Sequence, residues 1–290
     1  MIASGEVTSI RSPRVKAVRQ LARRSARQRA RLFLAEGPQA VREALAWKDG
    51  PADGSGRLGA GGAGGPGGVV TELYVTAEAR SRHDELTARA AAQGVPVHAV
   101  SGQVMAELAQ TVTPQGLLAV CRFIDVPLQR LTAAAPQLVV LLANVRDPGN
   151  AGTVLRTADA AGADGVVFSD ASVDPYNSKC VRASAGSLFH VPVVAGSPLQ
   201  QATAALRGAG LQVLAADGGA DGRLDELESA GALGRPTAWL FGNEAWGLPD
   251  GLLALAEQAV AVPIYGRAES LNLAAAAAVC LYASARARHG

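Results

Sequence analysis

LVVLLANVRDPGNAGTVLRTADAAGADGVVF, residues 138–168, holds the pattern from which the fold of this chain is read. It opens with an unbroken apolar run, Leu138 to Ala143. That run lacks the polar alternation of a half-exposed strand, so it reads as a strand buried on both faces. Asp147-Pro148-Gly149 makes a tight turn, and Asn150 is placed to cap a helix beginning at Ala151. On that helix Val154, Leu155 and Ala158 are spaced to face a sheet, which leaves Thr153, Arg156 and Thr157 on a polar flank. A second apolar run, Gly165 to Phe168, completes a strand–helix–strand unit.

Toward the C-terminus the same pattern repeats in LQVLAA (211–216), TAWLF (237–241) and AVAVPI (259–264). Ala-rich helical segments separate most of these runs, so residues 137–290 read as a doubly wound α/β domain with a parallel sheet. In such sheets ligands bind beyond the carboxyl ends of the strands. The candidates are therefore the residues just after the apolar runs: Asn144 after the first, Gly242 and Glu244 in GNEAWGLP, and Ser270 and Asn272 in YGRAESLN. Each has a plainer reading beside the functional one. Arg156 alone could be a solvated helix arginine, Glu244 a helix-capping residue, and one of Ser270 and Asn272 a cap for the Ala-rich helix that follows. All three segments follow strands of one sheet, and that favours a shared site.

Toward the N-terminus, residues 1–125 read as a smaller α/β domain, and residues 126–136 as a linker. From Arg11 to Arg31 there are nine Lys or Arg residues and no acidic one. Val15, Val18, Leu21 and Ala22 recur at helical spacing, which predicts one basic helix over residues 12–35 with Arg19, Arg23, Arg24 and Arg27 turned outward as a sequence-independent phosphate footprint. The alternative is a solvated helix face. A helix through Val41 and Leu45, a strand at 69–75, a helix over 83–93 and a strand at 95–100 follow. Between them, ten of the 19 residues from Gly50 to Gly68 are glycine, which predicts a flexible insertion. Its Gly62, Gly64 and Gly67 spell G-x-G-x-x-G, but no strand precedes them and Pro66 interrupts them, so a dinucleotide site is set aside. With it goes a nicotinamide-dependent oxidoreductase.

Composition removes other classes. The 290 residues are 49% apolar but 4% aromatic, and the net charge is +2. Cys121, Cys180 and Cys280 form no pair or cluster, which predicts neither a disulfide framework nor a metal site. The first residues lack the apolar core of a secretory signal, and the run from Leu271 to Ala283 is too short to span a bilayer. A reduced, cytoplasmic protein without membrane association is expected.

NVRDPGNAGTVLRTADAAGADG, LFGNEAWGLP and VPIYGRAESLNLAAAAAVCLY resemble, in order, the three motifs of the SpoU (TrmH) family of RNA ribose methyltransferases in the SPOUT superfamily. DPYNSKCVRASAGSLFHVP (174–192) resembles the segment between the first two. The N-terminal part is similar to the ribosomal-protein-like RNA-binding domain often attached in that family. The resemblance implies an α/β SPOUT domain with a trefoil knot, and a homodimer whose sites are completed by the partner subunit. It implies S-adenosylmethionine as cofactor, held largely through main chain at Leu240, Gly242, Val262, Ile264 and Leu271. The reaction implied is methylation of a ribose 2′-hydroxyl in structured RNA, with 23S ribosomal RNA favoured. Transfer RNA or an antibiotic-resistance modification is the variant within the class, and a non-catalytic RNA-binding protein the alternative outside it. Among Asn144, Arg156, Glu244, Ser270 and Asn272, the resemblance gives Arg156 the role of activating the hydroxyl. Guanidinium groups titrate above about 12, so a phosphate clamp that stabilises the developing oxyanion is the other role open to it, and Glu244 is the other candidate base.

Overall fold

The basic stretch that opens the chain folds as two helices, α1 (Pro13–Gln20) and α2 (Arg24–Ala30), and not as the single helix expected. The computed structural model describes residues 6–48, 68–243 and 245–289. Val15, Val18 and Leu21 pack into one apolar cluster with Val104 and Leu108. The chain turns directly after Leu21, and Arg27 on α2 enters the interior. Its guanidinium bonds Asp174 Oδ2 at 2.6 and 3.0 Å and donates to the carbonyls of Leu21 and Ala22 at 2.9 Å each. Arg27, only 3% exposed, is thereby removed from the phosphate-facing set, because its donors are consumed inside the protein. Arg19 is exposed but paired with Glu107 at 2.8 Å, and Arg23 and Arg24 are exposed.

Arg31 ends α2 in the left-handed region at φ 54°. Residues 32–35, expected as helix, then form strand β1 (Leu32–Glu36), with Phe33 and Ala35 on one face and Leu34 on the other. There follow α3 (Pro38–Ala46), β2 (Val70–Val75), α4 (Ala77–Arg82), α5 (Asp84–Ala92), β3 (Val97–Ala99), α6 (Gly102–Leu108) and β4 (Leu117–Arg122). The strands order β1-β4-β2-β3, with β4 antiparallel to β1 and β2, and β2 parallel to β3. The glycine insertion, but for Gly68, lies outside the described residues.

Residues 126–136 are not a loose tether. Val126 donates to the carbonyl of Val193 at 2.8 Å, and Leu128 and Leu131 of α7 (Leu128–Ala133) are buried on the larger sheet. Burial of apolar side chains anchors the segment where its Pro and Ala content had suggested a linker.

The larger sheet is built in chain order from β5 (Leu138–Leu142), α8 (Pro148–Ala160), β6 (Gly165–Ser169), α9 (Ser178–Ala183), β7 (Val193–Ser197), α10 (Leu199–Gly208) and β8 (Gln212–Ala216). It is completed by β9 (Gly222–Arg223), α11 (Leu224–Ser229), β10 (Thr237–Phe241), α12 (Asp250–Leu253), β11 (Gln258–Ala261) and α13 (Leu273–His289). The order is β7-β6-β5-β10-β8-β11-β9 with every pairing parallel. Val140 and Trp239 point to the side covered by α8 and α13, while Leu141 and Leu240 point to the side of α7 and α10. The five apolar runs all supply strands of this sheet; β5, β6 and β10 are buried on both faces and β8 at all but its last position, whereas β11 is buried only at Val260. Strand β10 lies between β5 and β8, so the order reverses beside β5, and that is where an open α/β sheet leaves its ligand crevice.

The two sheets share one apolar core. Phe33 of β1 lies 4.7 Å from Tyr176 and 6.0 Å from Phe189, ring centre to ring centre, and Phe123 stacks on Tyr176 at 3.9 Å. The buried Arg27–Asp174 pair and the Tyr176 hydroxyl, which donates to Asp125 at 2.9 Å, fix the same junction.

Candidate active site

At the carboxyl ends of β8, β10 and β11 the chain encloses a cavity of about 570 Å³, a size suited to a nucleoside-bearing small molecule. Val260, Val262, Ile264 and Leu271 give it apolar walls, while Asp217 and Glu269 contribute acid at its lining. Among the predicted contacts, Gly242, Val262, Ile264, Leu271, Ser270 and Asn272 all line it. Leu240 does not; its side chain is fully buried in the core on the far face of the sheet. Asp217, Gly218 and Gly219 line the cavity and were missed, although they follow the run at 211–216 and the strand-end argument applied to them equally.

Two loops are fastened to each other beside the cavity. Asn243 donates from Nδ2 to the carbonyl of Asn144 at 2.7 Å and accepts from the Ala245 amide at 2.8 Å. Its main chain also pairs both ways with Gly247, at 3.0 and 2.9 Å, which folds the loop into a tight turn. A Cβ on Gly242 would stand 2.5 Å from the carbonyl of Gly247. The glycine thus makes room for the loop's own backbone, where the sequence had suggested room for a ligand. Glu244 lies outside the described residues.

Asn144 takes a left-handed backbone, φ 57°, a conformation that asparagine tolerates well. Its amide donates to Ser169 Oγ at 3.0 Å. The cap of α8 is Asp147, not Asn150: Asp147 Oδ1 accepts from the Asn150 amide at 2.9 Å, and Pro148 begins the helix. A hydrogen bond from Lys179 at 2.9 Å, then that amide, hold the Asp147 carboxyl below its usual range. With the helix starting earlier, Asn150 lies in its first turn, where its Oδ1 accepts from Asn272 Nδ2 at 3.2 Å. Asn272 also caps α13 by accepting from the Ala274 amide at 2.8 Å. The residue expected to serve either as cap or as site contact therefore caps one helix, bonds another and lines the cavity.

Arg156 lies on the exposed flank of α8, with Val154, Leu155 and Ala158 buried beneath it as expected. It is not among the cavity-lining residues. It stands six residues beyond Asn150, roughly 9 Å along the helix at the usual rise per residue. Among the described residues no cluster of three or more metal-ligating side chains occurs, and no helix is long and apolar enough to cross a membrane. All three cysteines are buried and unpaired; burial raises each thiol's pKa, that of Cys280 to about 12.

Known proteins resemble this chain across both sheets. The sequence model described as SpoU rRNA Methylase family matches residues 137–282. That for RNA 2′-O ribose methyltransferase substrate binding matches 63–126, and an MRM3-like substrate binding domain matches 12–48. The 23S rRNA (guanosine(2553)-2′-O)-methyltransferase RlmP of Bacillus subtilis is 33% identical over 96% of this chain and 98% of its own. An AdoMet-bound rRNA methyltransferase from Sinorhizobium meliloti superposes with a TM-score of 0.78 at 31% identity, over 97% of each chain. The SpoU methyltransferase AviRb from Streptomyces viridochromogenes, in complex with AdoMet, gives 0.76 at 27% identity over 95% of this chain and 98% of its own.

Proposed function

The chain belongs to the SpoU rRNA methylase family, and from that premise we propose how its residues methylate a ribose 2′-hydroxyl of 23S ribosomal RNA. It is an S-adenosylmethionine-dependent RNA methyltransferase. One observation carries the residue assignment: the loop after β10, the segment after β11 and the turn before α13 close on one cavity at the carboxyl ends of neighbouring parallel strands.

The cavity suits the cofactor. Its apolar walls at Val262, Ile264 and Leu271 fit an adenine, strand-end main chain at Gly242 offers hydrogen bonds, and Asp217 and Glu269 complement a cationic sulfonium and ammonium. When bound, the cofactor supplies a methyl carbon already activated by its sulfonium. The chain's own task is to hold the ribose in line and stabilise charge on its oxygen. Asn144, Ser270 and Asn272 are assigned to the ribose and its phosphate. Arg156 is assigned to the phosphate and the developing oxyanion, and Glu244 is kept as a candidate base. The N-terminal sheet with Arg19, Arg23 and Arg24 is assigned to substrate RNA. Residues 1–125 and 137–290 are taken as substrate and catalytic domains, the latter threaded as a trefoil knot.

A homodimer is also part of the proposal. Ala275, Val279 and Tyr282 make an exposed apolar stripe at helical spacing on α13, and a second subunit would cover it and bring its own residues to each site. Purified protein, S-adenosylmethionine and deproteinised 23S and transfer RNA, with nucleotide mapping of 2′-O-methylation, test the reading. Methyl transfer at one position of 23S RNA is expected, and cofactor binding that survives chelator treatment. Cofactor binding without methylation of either RNA would return the chain to the class of RNA binders.

A further inference from the structure

Of the three tryptophans, Trp47 and Trp239 are buried, whereas Trp246 is 51% exposed. Trp246 sits on the turn closed by Asn243 and Gly247 and forms part of the cavity's lining. A large aromatic ring kept at the rim of a ligand cavity forgoes the stabilisation that burial would give it, which is a common mark of a binding surface. The ring is held from a second element as well. The guanidinium carbon of Arg146, from the loop after β5, lies 4.9 Å from its centroid, and the Asn243–Asn144 bond of 2.7 Å ties the two loops together. The aromatic plane therefore has a fixed position where two strand-end loops meet.

We propose that Trp246, backed by Arg146, is the platform on which the nucleobase of the target nucleotide stacks while its ribose enters the cavity. The inference rests on the reading of the preceding section, that the substrate is RNA. A nucleotide drawn out of the RNA stack to bring its 2′-hydroxyl into the cavity loses its stacking, which costs a few kcal/mol. Single-stranded and extruded bases recover that cost on aromatic faces. The apolar lining at Val262, Ile264 and Leu271 accounts for an adenine, while Trp246 lines the same cavity with half its surface left exposed for a second ring, that of the base joined to the reacting sugar. Stacking accepts any base, so the platform holds the nucleotide and does not by itself select it.

Trp246 is the one exposed tryptophan, so quenching of tryptophan fluorescence by acrylamide reports on its ring. Deproteinised 23S RNA should protect it, and S-adenosylmethionine alone should not. Trp246→Ala should lower kcat/KM for that RNA between about five- and a hundredfold, the range of one base–aromatic stack, chiefly through KM. Cofactor affinity by calorimetry should stay at the wild-type value. Trp246→Phe should restore most of the loss and Trp246→Leu little of it. Rescue by leucine equal to that by phenylalanine, or a loss of cofactor affinity in Trp246→Ala, would make the residue a cavity wall and overturn the proposal. A wild-type protein that methylates 23S RNA with Trp246 still fully quenchable would overturn it too. RNA protection of Trp246 without methyl transfer would instead defeat the functional reading and leave the platform standing.

Discussion

Arg156 and Arg27 are both helix arginines, yet their surroundings give them opposite parts. Arg27 spends its donors on Asp174 and two carbonyls, whereas Arg156 is exposed on α8, the helix whose first turn bonds the cavity residue Asn272. If Arg156 grips a phosphate, the planar fork matters more than the charge, because lysine cannot form the paired hydrogen bonds. Arg156→Lys should lower the single-turnover rate about a hundredfold, Arg156→Ala further, with cofactor affinity unchanged in both. Wild-type rates in both variants at saturating cofactor would make Arg156 an ordinary surface residue. At this scale much of the site was legible, since Gly242, Val262, Ile264, Ser270, Leu271 and Asn272 follow apolar runs and do line the cavity. Asn243 was not, because its contribution is a bond to Asn144, ninety-nine residues away in the chain, and no local spacing encodes that partner.

Elements of the larger sheet were legible where burial is complete. Strands β5, β6 and β10 are buried at every position, so their sequences are apolar throughout but for Ser169 at the end of β6 and Thr237 at the start of β10. Strand β7, whose run ends in partly exposed Ala195 and exposed Gly196, and the two-residue β9 carry no such signal. Strand β1 was hidden for another reason: it follows a left-handed Arg31 without the glycine that usually marks such a turn. Elements of the two sheets are also joined by His190, just before β7. Its Nδ1 lies 2.8 Å from Asp159 on α8 and its Nε2 3.1 Å from Glu43 on α3. The Asp159 bond, then the Glu43 bond, raise its pKa to about 9 despite partial burial. The folded-state value lies above the ordinary 6.5. This contribution to stability is therefore complete below about 6.5 and is lost as pH rises through about 9. Urea midpoints of the wild type should fall over that interval, and His190→Gln should reduce the fall while lowering the midpoint at neutral pH. Parallel pH profiles for the two proteins would show that the bridge contributes nothing.

Over the whole molecule, a net charge of +2 conceals a basic N-terminal segment joined by a buried ion pair to the loop after β6 of the larger sheet. The segment's helical character and positive charge were legible, but its division was not. Which arginine faces inward depends on Asp174, in the loop between β6 and α9. That division separates two outcomes. Arg27→Ala leaves Asp174 as an uncompensated buried charge and should destabilise the protein by about 3–5 kcal/mol, read from denaturant unfolding. Reversing Arg23 and Arg24 to glutamate touches no buried partner and should leave unfolding unchanged. If these two neutralise phosphates, each lost contact removes a released counterion, so the slope of log affinity for 23S RNA against log salt should become shallower by about one to two. Affinity should fall most at low salt and converge with the wild type at high salt, where the electrostatic contribution is screened. Cofactor affinity should not move, because the cavity lies at the strand ends of the other sheet. A double reversal that leaves the salt slope intact would make this surface a solvated helix face and place the RNA track elsewhere on the molecule.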